Sequence, residues 1–271
     1  MTSQTSAYVF DNAWQQERQR LDALSNTWDA NTRRNFEALG PLQGLRVLDV
    51  GAGGGSVARW LCDAVGPTGH VVATDIDTRF IDAIEVPNFE SRRHDIVQDQ
   101  LETDAFDVVH CRLVLEHLPA TDIALSKMIA ALKPGGALLV EEFDHVSFLP
   151  APDAAPDAQA AWHSSIAAFT AIADQRSLDL TYGRRLRPLL GAHRLQGVTA
   201  GGVTTYERGG TEGRGLLLLS VISMRDLLVA TGHMDNGGVD CLIAALQDET
   251  FYWSSQIMVA AHGRKQALVH V

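Results

Sequence analysis

Apolar residues fall into five short runs between residues 46 and 143, and polar residues and glycines separate the runs. Short apolar runs bounded by turn signals are typical of buried parallel strands, whereas the segments between them show helical spacing. This alternation predicts βαβ units and a doubly wound parallel sheet in an α/β fold. The predicted strands are 46–50, 70–76, 89–96, 106–113 and 137–143, and the predicted helices are 56–65, 80–84 and 120–132.

The segments on either side of this alternation predict further elements. Large apolar residues recur at roughly helical spacing over 11–39, which favours two leading helices. The segment 251–265 is rich in aromatic and β-branched residues, as strands are. The other predicted elements are helices at 156–174, 182–195, 215–230 and 238–248, a sixth strand at 197–207 and the seventh strand at 251–265.

The stretch VLDVGAGGGSVARWL at 47–61 places four glycines between a strand and a helix. Glycine lets the chain turn sharply and lets a ligand approach the backbone, and the first amides of the helix then face that ligand. The dinucleotide fingerprint that starts at Gly51 would need glycine at position 56, where this chain has Ser56. The loop therefore predicts a ligand site, and Ser56 weighs against a nicotinamide dehydrogenase.

Three acidic residues stand at the ends of the first three predicted strands. Asp49 is placed to hold a cationic amino group, and Asp75 is placed to accept both hydroxyls of a ribose. Asp95 is placed to accept a hydrogen bond from the exocyclic amine of adenine, with Ile76 and Ile96 forming an apolar slot nearby. Because each charge-assisted bond contributes roughly 1.5–3 kcal/mol, the three acids predict a tightly bound adenosyl ligand that carries a cation.

Five spaced motifs carry a family resemblance: VLDVGAGGG, TDID, HDI, FDVVHCRLVLEHL and LKPGGALLVEEFD. Over residues 46–144 the chain resembles the class I S-adenosylmethionine-dependent methyltransferases, and it is similar to the small-molecule enzymes of the ubiquinone-biosynthesis type. The resemblance implies a Rossmann-like, seven-stranded, mostly parallel sheet with helices on both faces, an antiparallel last strand and a helical cap. It also implies S-adenosylmethionine as the cofactor.

The resemblance further implies a division of the chain and a set of binding residues. Residues 1–45 would form a helical lid, 46–144 the cofactor-binding core, and 145–271 the rest of the core with substrate-cap helices. Asp49 and the loop would line the methionine part of the cofactor, and the backbone of Cys111 would meet its amino group. The implied cofactor-binding residues are Asp49, Gly51, Ala52, Gly53, Asp75, Ile76, Asp95, Ile96 and Cys111.

Methyl transfer from a sulfonium is an in-line displacement that needs mainly proximity and orientation. A base is required only when the acceptor carries a proton with a high pKa. His117 and His145 follow the fourth and fifth predicted strands and are the candidate catalytic residues, with a bond from His117 to nearby backbone as the alternative. The candidate substrate contacts are Arg112, His163 and Tyr182, and no metal site is expected.

Composition narrows the class of protein. The formal net charge of −11 argues against a nucleic-acid partner, because phosphate binding needs a basic surface. No window approaches the roughly 18 apolar residues of a membrane span, and the N-terminus lacks the apolar core of a signal peptide. The three cysteines, Cys62, Cys111 and Cys241, lie far apart, which favours a reducing cytoplasm.

The sequence thus predicts a cytoplasmic enzyme that transfers a methyl group to a small molecule, with secondary metabolism as one setting. Two alternatives stay open: an enzyme that binds the cofactor but runs another reaction such as a cyclisation, and a non-catalytic module that only binds it. The apolar residues of the cap suit an apolar or aromatic acceptor and equally suit ordinary helix packing. The oligomeric state is left open, a homodimer included.

Overall fold

The structure is a computed structural model that describes residues 17–210 and 212–267. The start of the first predicted helix and the part of the lid before it, residues 1–16, lie outside the described residues. The helices are α1 Glu17–Glu37, α2 Ser56–Val65, α3 Thr121–Ala131, α4 Pro156–Arg176, α5 Tyr182–Ala192, α6 Glu212–Ser223, α7 Arg225–Ala230 and α8 Asn236–Gln247. The strands are β1 Arg46–Val50, β2 His70–Asp75, β3 Phe89–Arg93, β4 Phe106–Arg112, β5 Leu132–Asp144, β6 Leu149–Pro150, β7 Gln196–Val203, β8 Tyr206–Arg208, β9 Tyr252–Ser254 and β10 Ile257–Arg264.

Seven strands form the main sheet in the order β3-β2-β1-β4-β5-β10-β7. The first five strands run parallel to one another, and β10 runs antiparallel to both β5 and β7. The predicted seven-stranded, mostly parallel sheet with an antiparallel last strand is confirmed. The chain reverses its direction of winding at β1, between β2 and β4, and ligands of doubly wound sheets bind at the carboxyl ends of the strands at such a point.

Helices cover both faces of this sheet. On one face, Phe36 of α1 and Leu61 of α2 pack on Val47 and Leu139, and all four side chains are fully buried. On the opposite face α3 and α5 pack, with Met128 and Leu190 among the buried side chains. Because alternate residues of a strand point to opposite faces, side chains of β1, β4 and β5 divide between these two layers.

A second core lies beyond the main sheet. Helices α4, α6, α7 and α8 pack together with a small antiparallel sheet of order β6-β9-β8, and we call this unit the cap. Trp162 of α4 and Trp253 of β9 lie at its centre, with ring centroids 6.1 Å apart. The small sheet was not predicted. No helix among the described residues combines the length and apolar character that crossing a bilayer requires.

Several predicted elements differ from the observed ones. Where two leading helices were expected, α1 is one continuous helix over the described part. Residues 80–84 form turns and no helix. The segment before Pro87, Asn88 and β3 is too short for a helix, because forming the first helical turn is unfavourable unless several further residues extend it. The predicted helix 215–230 breaks at Met224 into α6 and α7.

The predicted sixth and seventh strands each divide between the two sheets. Segment 197–207 gives β7 and β8, and segment 251–265 gives β9 and β10. Ser255 joins the two bends, because its backbone N–H donates to the Thr205 carbonyl and its hydroxyl accepts from the Thr205 N–H, each at 2.9 Å. This contact between distant residues cannot be detected as a local pattern.

Candidate active site

The glycine loop after β1 is held by hydrogen bonds to β2. The N–H groups of Gly51 and Ala52 donate to the Thr74 carbonyl at 2.7 and 3.0 Å. Gly51 has a φ of 68°, and a Cβ added there would lie 2.3 Å from the Val114 side chain. Glycine is therefore required at this position, and the loop backbone lies along the wall of a cavity.

The cavity has a volume of about 1130 Å³ and opens at the carboxyl ends of β1, β2, β4 and β5. Asp49, Asp75 and Asp95 all line this one cavity, together with Ile76, Ile96 and the loop residues Gly51, Ala52 and Gly53. Cys111 is different: its side chain is fully buried in the core on the α3 face and does not line the cavity. Eight of the nine predicted cofactor residues are thus brought together.

Asp75 ties the glycine loop to the end of β2. Its Oδ2 accepts from the Gly53 N–H at 2.8 Å and its Oδ1 accepts from the Asp77 N–H at 3.0 Å. Burial raises the pKa of Asp75, and these N–H groups partly oppose the rise. Since each carboxylate oxygen has two lone pairs, the group can still accept from a pair of hydroxyls.

Asp95 lies in the turn that follows β3. Its Oδ1 accepts from the N–H groups of Val97 and Gln98 at 2.8 and 3.2 Å. Ile96 is buried beside it, whereas Ile76 is 48% exposed at the cavity wall. The two isoleucines thus offer an apolar surface to a flat ring, next to a carboxylate whose position the turn fixes.

A buried chain of polar groups lies beneath the loop. Nδ1 of His110 lies 2.7 Å from Oδ1 of Asp49, and Nε2 of His110 lies 3.2 Å from Oε2 of Glu141. The amide of Asn35 on α1 donates to the other Glu141 oxygen at 2.7 Å. The chain therefore links β1, β4, β5 and α1 at the floor of the cavity.

His110 is charged in this setting. Burial lowers the pKa of His110, but the Asp49 and Glu141 carboxylates outweigh it and raise the pKa to about 9. Oδ2 of Asp49 is buried and has no hydrogen-bond partner among the described residues. Because unsatisfied buried carboxylate oxygens are costly, this atom on the cavity wall suits a cationic amino group from a ligand. The residues present therefore fit the methionine end of S-adenosylmethionine.

Arg112 connects the end of β4 to α1. Its guanidinium donates to Thr32 Oγ1 at 2.8 Å and to Asp29 Oδ1 at 2.9 Å. The Arg112 side chain also lines the cavity, but its charge is balanced by Asp29. Its observed contacts are those of a residue that holds α1 against the sheet.

His117 and His145 lie close together on the same cavity, with Glu116 between them. Nε2 of His117 lies 3.5 Å from Oε1 of Glu116, and Nε2 of His145 lies 3.9 Å from Oε2 of Glu116. His117 and Glu116 belong to a 3₁₀ turn after β4, and His145 directly follows β5. Adjacent parallel strands thus deliver both predicted histidines to one edge of the sheet.

Two predicted substrate contacts do not line the cavity. His163 is exposed on α4, where its Nδ1 lies 2.7 Å from the Gln159 carbonyl. Tyr182 is buried in the core under the sheet, and burial raises the pKa of its hydroxyl to about 12. The geometry gives neither residue a contact with a ligand in this cavity.

The polar groups on the cavity floor, His110 and Glu141, were not predicted from the sequence. His110 and Glu141 sit inside otherwise apolar strands, where a charged residue is rare unless it is paired. Asp49 is opposite His110 in the β1–β4 register, and Glu141 lies two residues beyond Leu139, the residue of β5 that is opposite His110. A charged or polar residue inside a buried strand was the feature of the sequence that could have revealed His110 and Glu141.

The cavity, its glycine loop and the acids at three strand ends define a class I methyltransferase fold. A family model described as a methyltransferase domain matches residues 16–182, more than half of the chain. The chain belongs to this methyltransferase domain family, as predicted.

Two curated relatives and one solved structure illustrate the likeness. The ubiquinone/menaquinone biosynthesis C-methyltransferase UbiE of Ectopseudomonas mendocina is 35% identical over 119 residues, 41% of this chain and 46% of that protein. The methyltransferase str2 of Strobilurus tenacellus is 30% identical over 177 residues, 64% of this chain and 61% of that protein. The matched segments thus span about half the length of these relatives.

The solved structure shares the fold. It is phosphoethanolamine N-methyltransferase 2 of Haemonchus contortus, in complex with phosphomonomethylethanolamine and S-adenosylhomocysteine. The TM-score is 0.56 at 17% identity, and the match covers 89% of this chain and 53% of that chain.

Proposed function

We propose that this chain transfers a methyl group from S-adenosylmethionine to a small-molecule acceptor. The observation that carries the proposal is the convergence of Asp49, Asp75 and Asp95 on one cavity beside the glycine loop. We call this part of the wall the cofactor half. Its unpartnered Asp49 oxygen and its exposed Ile76 face the same space, so an adenosyl group with a cationic amino acid end matches both.

Each group in the cofactor half has a defined task. The Asp75 carboxylate holds the Gly53 N–H and accepts the ribose hydroxyls, and Asp95 with Ile96 holds the adenine. Asp49 Oδ2 accepts from the amino group, while the His110 imidazolium fixes the orientation of Asp49. When bound, S-adenosylmethionine supplies an activated methyl group on a sulfonium, so the chain mainly has to orient the acceptor and exclude water.

The acceptor would lie against the cap, which we place among the substrate-binding elements together with the helical lid. The other wall of the cavity, the acceptor half, comprises Glu116, His117, His145 and side chains of the cap. The residues contributed there are mostly apolar, which favours a small organic molecule over a polymer. The three cysteines are all free, which supports a cytoplasmic location for the enzyme.

Calorimetric titration of the full chain tests the proposal. We expect S-adenosylmethionine and S-adenosylhomocysteine to bind with micromolar or tighter affinity, and NAD to give no heat of binding. A methyl-labelled cofactor should then pass its label to an acceptor. Absence of binding by both adenosyl ligands would refute the proposed function, and binding without any transfer of label would favour a non-catalytic module.

A further inference from the structure

Glu116, His117 and His145 form a cluster that methyl transfer in general does not require. The closest atoms of the carboxyl and the two imidazoles are 3.5 and 3.9 Å apart, longer than hydrogen bonds. Glu116 is 9% exposed, and its Oε2 is buried without a hydrogen-bond partner among the described residues. An oxygen atom of a ligand about 2.8 Å from both Glu116 Oε2 and His145 Nε2 would fill this gap.

We propose that this cluster binds the ionisable hydroxyl of a phenolic or enolic acceptor, and that the chain methylates that oxygen. The proposal rests on the proposed function and specifies its acceptor. Glu116 donates a hydrogen bond to the acceptor oxygen, and His145 accepts the proton of the hydroxyl. His117 lies on the other side of Glu116, with its Nε2 3.5 Å from Oε1 of that carboxyl.

The protonation states agree with these roles. Burial raises the pKa of Glu116 well above its usual range, and the nearby Glu142 and Asp179 raise it further, so Glu116 is a neutral donor. Burial lowers the pKa of His117 and His145 to about 4, so both imidazoles are neutral, and a neutral imidazole has one ring nitrogen that accepts a hydrogen bond. A hydroxyl both donates and accepts hydrogen bonds, and it therefore complements a neutral carboxyl beside a neutral imidazole.

The surrounding charges disfavour an anionic acceptor. The Arg20 guanidinium, which faces His117 from α1, is held by both oxygens of Glu17 at 2.7 and 2.9 Å. Arg112 is bound to Asp29. On the remaining sides Glu142 faces Glu116, and Asp144, itself bound to Arg184, faces His145. A carboxylate or phosphate would thus meet cations that are already paired.

The walls next to the cluster favour a flat apolar body. The His145 ring packs against Phe143 and Phe169, with ring centroids 5.7 and 5.6 Å apart. The volume of about 1130 Å³ exceeds the roughly 300–1000 Å³ of a pocket for one drug-sized ligand, which leaves room for an acceptor beside a cofactor. The other apolar side chains that line the acceptor half include Phe148, Ile166, Leu217, Met224 and Trp253.

The proposed step balances without a further reactant. The acceptor oxygen forms a bond to the methyl carbon, the carbon–sulfur bond breaks, and its electron pair stays on sulfur. The hydroxyl proton moves to Nε2 of His145, so one positive charge leaves the sulfonium and one appears on the imidazolium. Because neutral His145 is a weak base, an acidic hydroxyl such as that of a phenol, with a pKa near 10, suits it better than an aliphatic alcohol.

A matched set of acceptors tests the atom that is methylated. The full chain is incubated with S-adenosylmethionine and 2-naphthol, 2-naphthylamine or 2-methoxynaphthalene, and a panel of substituted mono- and bicyclic phenols extends the set. Release of S-adenosylhomocysteine is measured and the product is identified by mass spectrometry. We expect methyl ethers from the phenols, at least about 100-fold slower reaction of the amine, and no reaction of the ether.

Variants test the roles of the cluster. His145→Asn should lower kcat/KM by about 100-fold for weakly acidic phenols and by much less for nitro-substituted phenols, which need less help in losing the proton. Glu116→Leu should raise KM, and Glu116→Gln, which keeps a donor, should restore most of the loss. The Kd of S-adenosylhomocysteine should stay within about twofold in all three. Glu85→Gln and His233→Asn, both exposed outside the cavity, serve as matched controls.

The outcomes separate this inference from the proposed function. Methylation of the amine at a rate equal to that of the phenol would overturn the inference, as would binding of S-adenosylhomocysteine with no phenol of the panel methylated. An equal loss for all phenols in His145→Asn would assign His145 a structural role only and overturn the proton transfer. Failure of the wild-type chain to bind S-adenosylhomocysteine would instead refute the proposed function itself.

Discussion

The cofactor half and the acceptor half of the cavity are held in place by different kinds of interaction. In the cofactor half, carboxylates of Asp75 and Asp95 are fixed by main-chain N–H groups within a few residues or across neighbouring strands. In the acceptor half, His145 is positioned by ring packing against Phe169 of the cap, and the Glu116 carboxyl makes contacts longer than hydrogen bonds. Hydrogen bonds therefore hold the carboxylates of the cofactor half in place before any ligand binds. The positions of the side chains in the acceptor half depend instead on how the cap packs.

His110 offers the strongest test of this contrast. His110→Gln removes a buried imidazolium from between Asp49 and Glu141 and leaves two buried carboxylates without their cation. We expect a loss of about 3–5 kcal/mol in the free energy of unfolding, measured by urea denaturation. His145→Gln in the acceptor half should cost about 1 kcal/mol, because no carboxylate of the described residues is hydrogen-bonded to that ring. Equal losses in the two variants would contradict the difference in construction.

Asp75 tests the cofactor half through its affinity for the ligand. Asp75→Ala removes the carboxylate that holds both the loop and the ribose, so we expect the Kd of S-adenosylhomocysteine to rise about 100- to 1000-fold. Ligand at a hundred times the wild-type Kd should stabilise the wild-type fold by about 2.7 kcal/mol and the variant by far less. Asp63→Ala, on the exposed side of α2, is the control. An unchanged stabilisation in Asp75→Ala would rule out the ribose assignment.

The charge of His110 predicts a pH dependence of stability. Its pKa in the folded chain, about 9, lies above the roughly 6.5 of an unfolded chain. The stabilisation is therefore fully present below about pH 6.5 and is lost as the pH rises through about 9. Between these values the free energy of unfolding should fall more in the wild type than in His110→Gln. Parallel pH profiles of the two proteins would show that His110 is neutral in the fold.

Arg112 tests whether α1 acts as a lid over both halves. Lysine cannot reach Thr32 and Asp29 together, so Arg112→Lys should reduce the free energy of unfolding by about 1–2 kcal/mol and speed proteolysis within α1. S-adenosylhomocysteine should slow that cleavage in the wild type. Arg18→Lys, an exposed ion pair on the same helix, should behave like the wild type. Cleavage that is the same with and without ligand would argue against a lid.

The two halves also differ in how far the sequence predicted them. The loop glycines, Asp75 and Asp95 were predicted because each stands at the end of a predicted strand, and parallel neighbouring strands bring those ends together. His163 was predicted wrongly as a neighbour of the cavity, since the phase of α4 turns Ile166 and Phe169 inward and leaves His163 exposed. The sequence of a cap helix such as α4 carries no marker of which side meets the ligand.

The order of the main sheet followed from the alternation of strands and helices, but the division of the late strands did not. Ser255 and Thr205 are fifty residues apart, and their mutual hydrogen bonds lie where β7 ends and β10 begins. The chain of Asp49, His110 and Glu141 depends on the register of β1, β4 and β5, which the alternation of side chains within a single strand does not fix.

The close approach of Gly51 to Val114 means that the two walls of the cavity are in direct contact at one point. Val114 stands at the start of the segment that carries Glu116 and His117, and its N–H is held by Glu142 at 3.0 Å. A methyl group added at position 51 would push this segment outward before it ever reached the ligand. A substitution in the loop that binds the methionine end should therefore also alter reactivity toward the acceptor. Affinity for the cofactor and turnover of the acceptor would then change together.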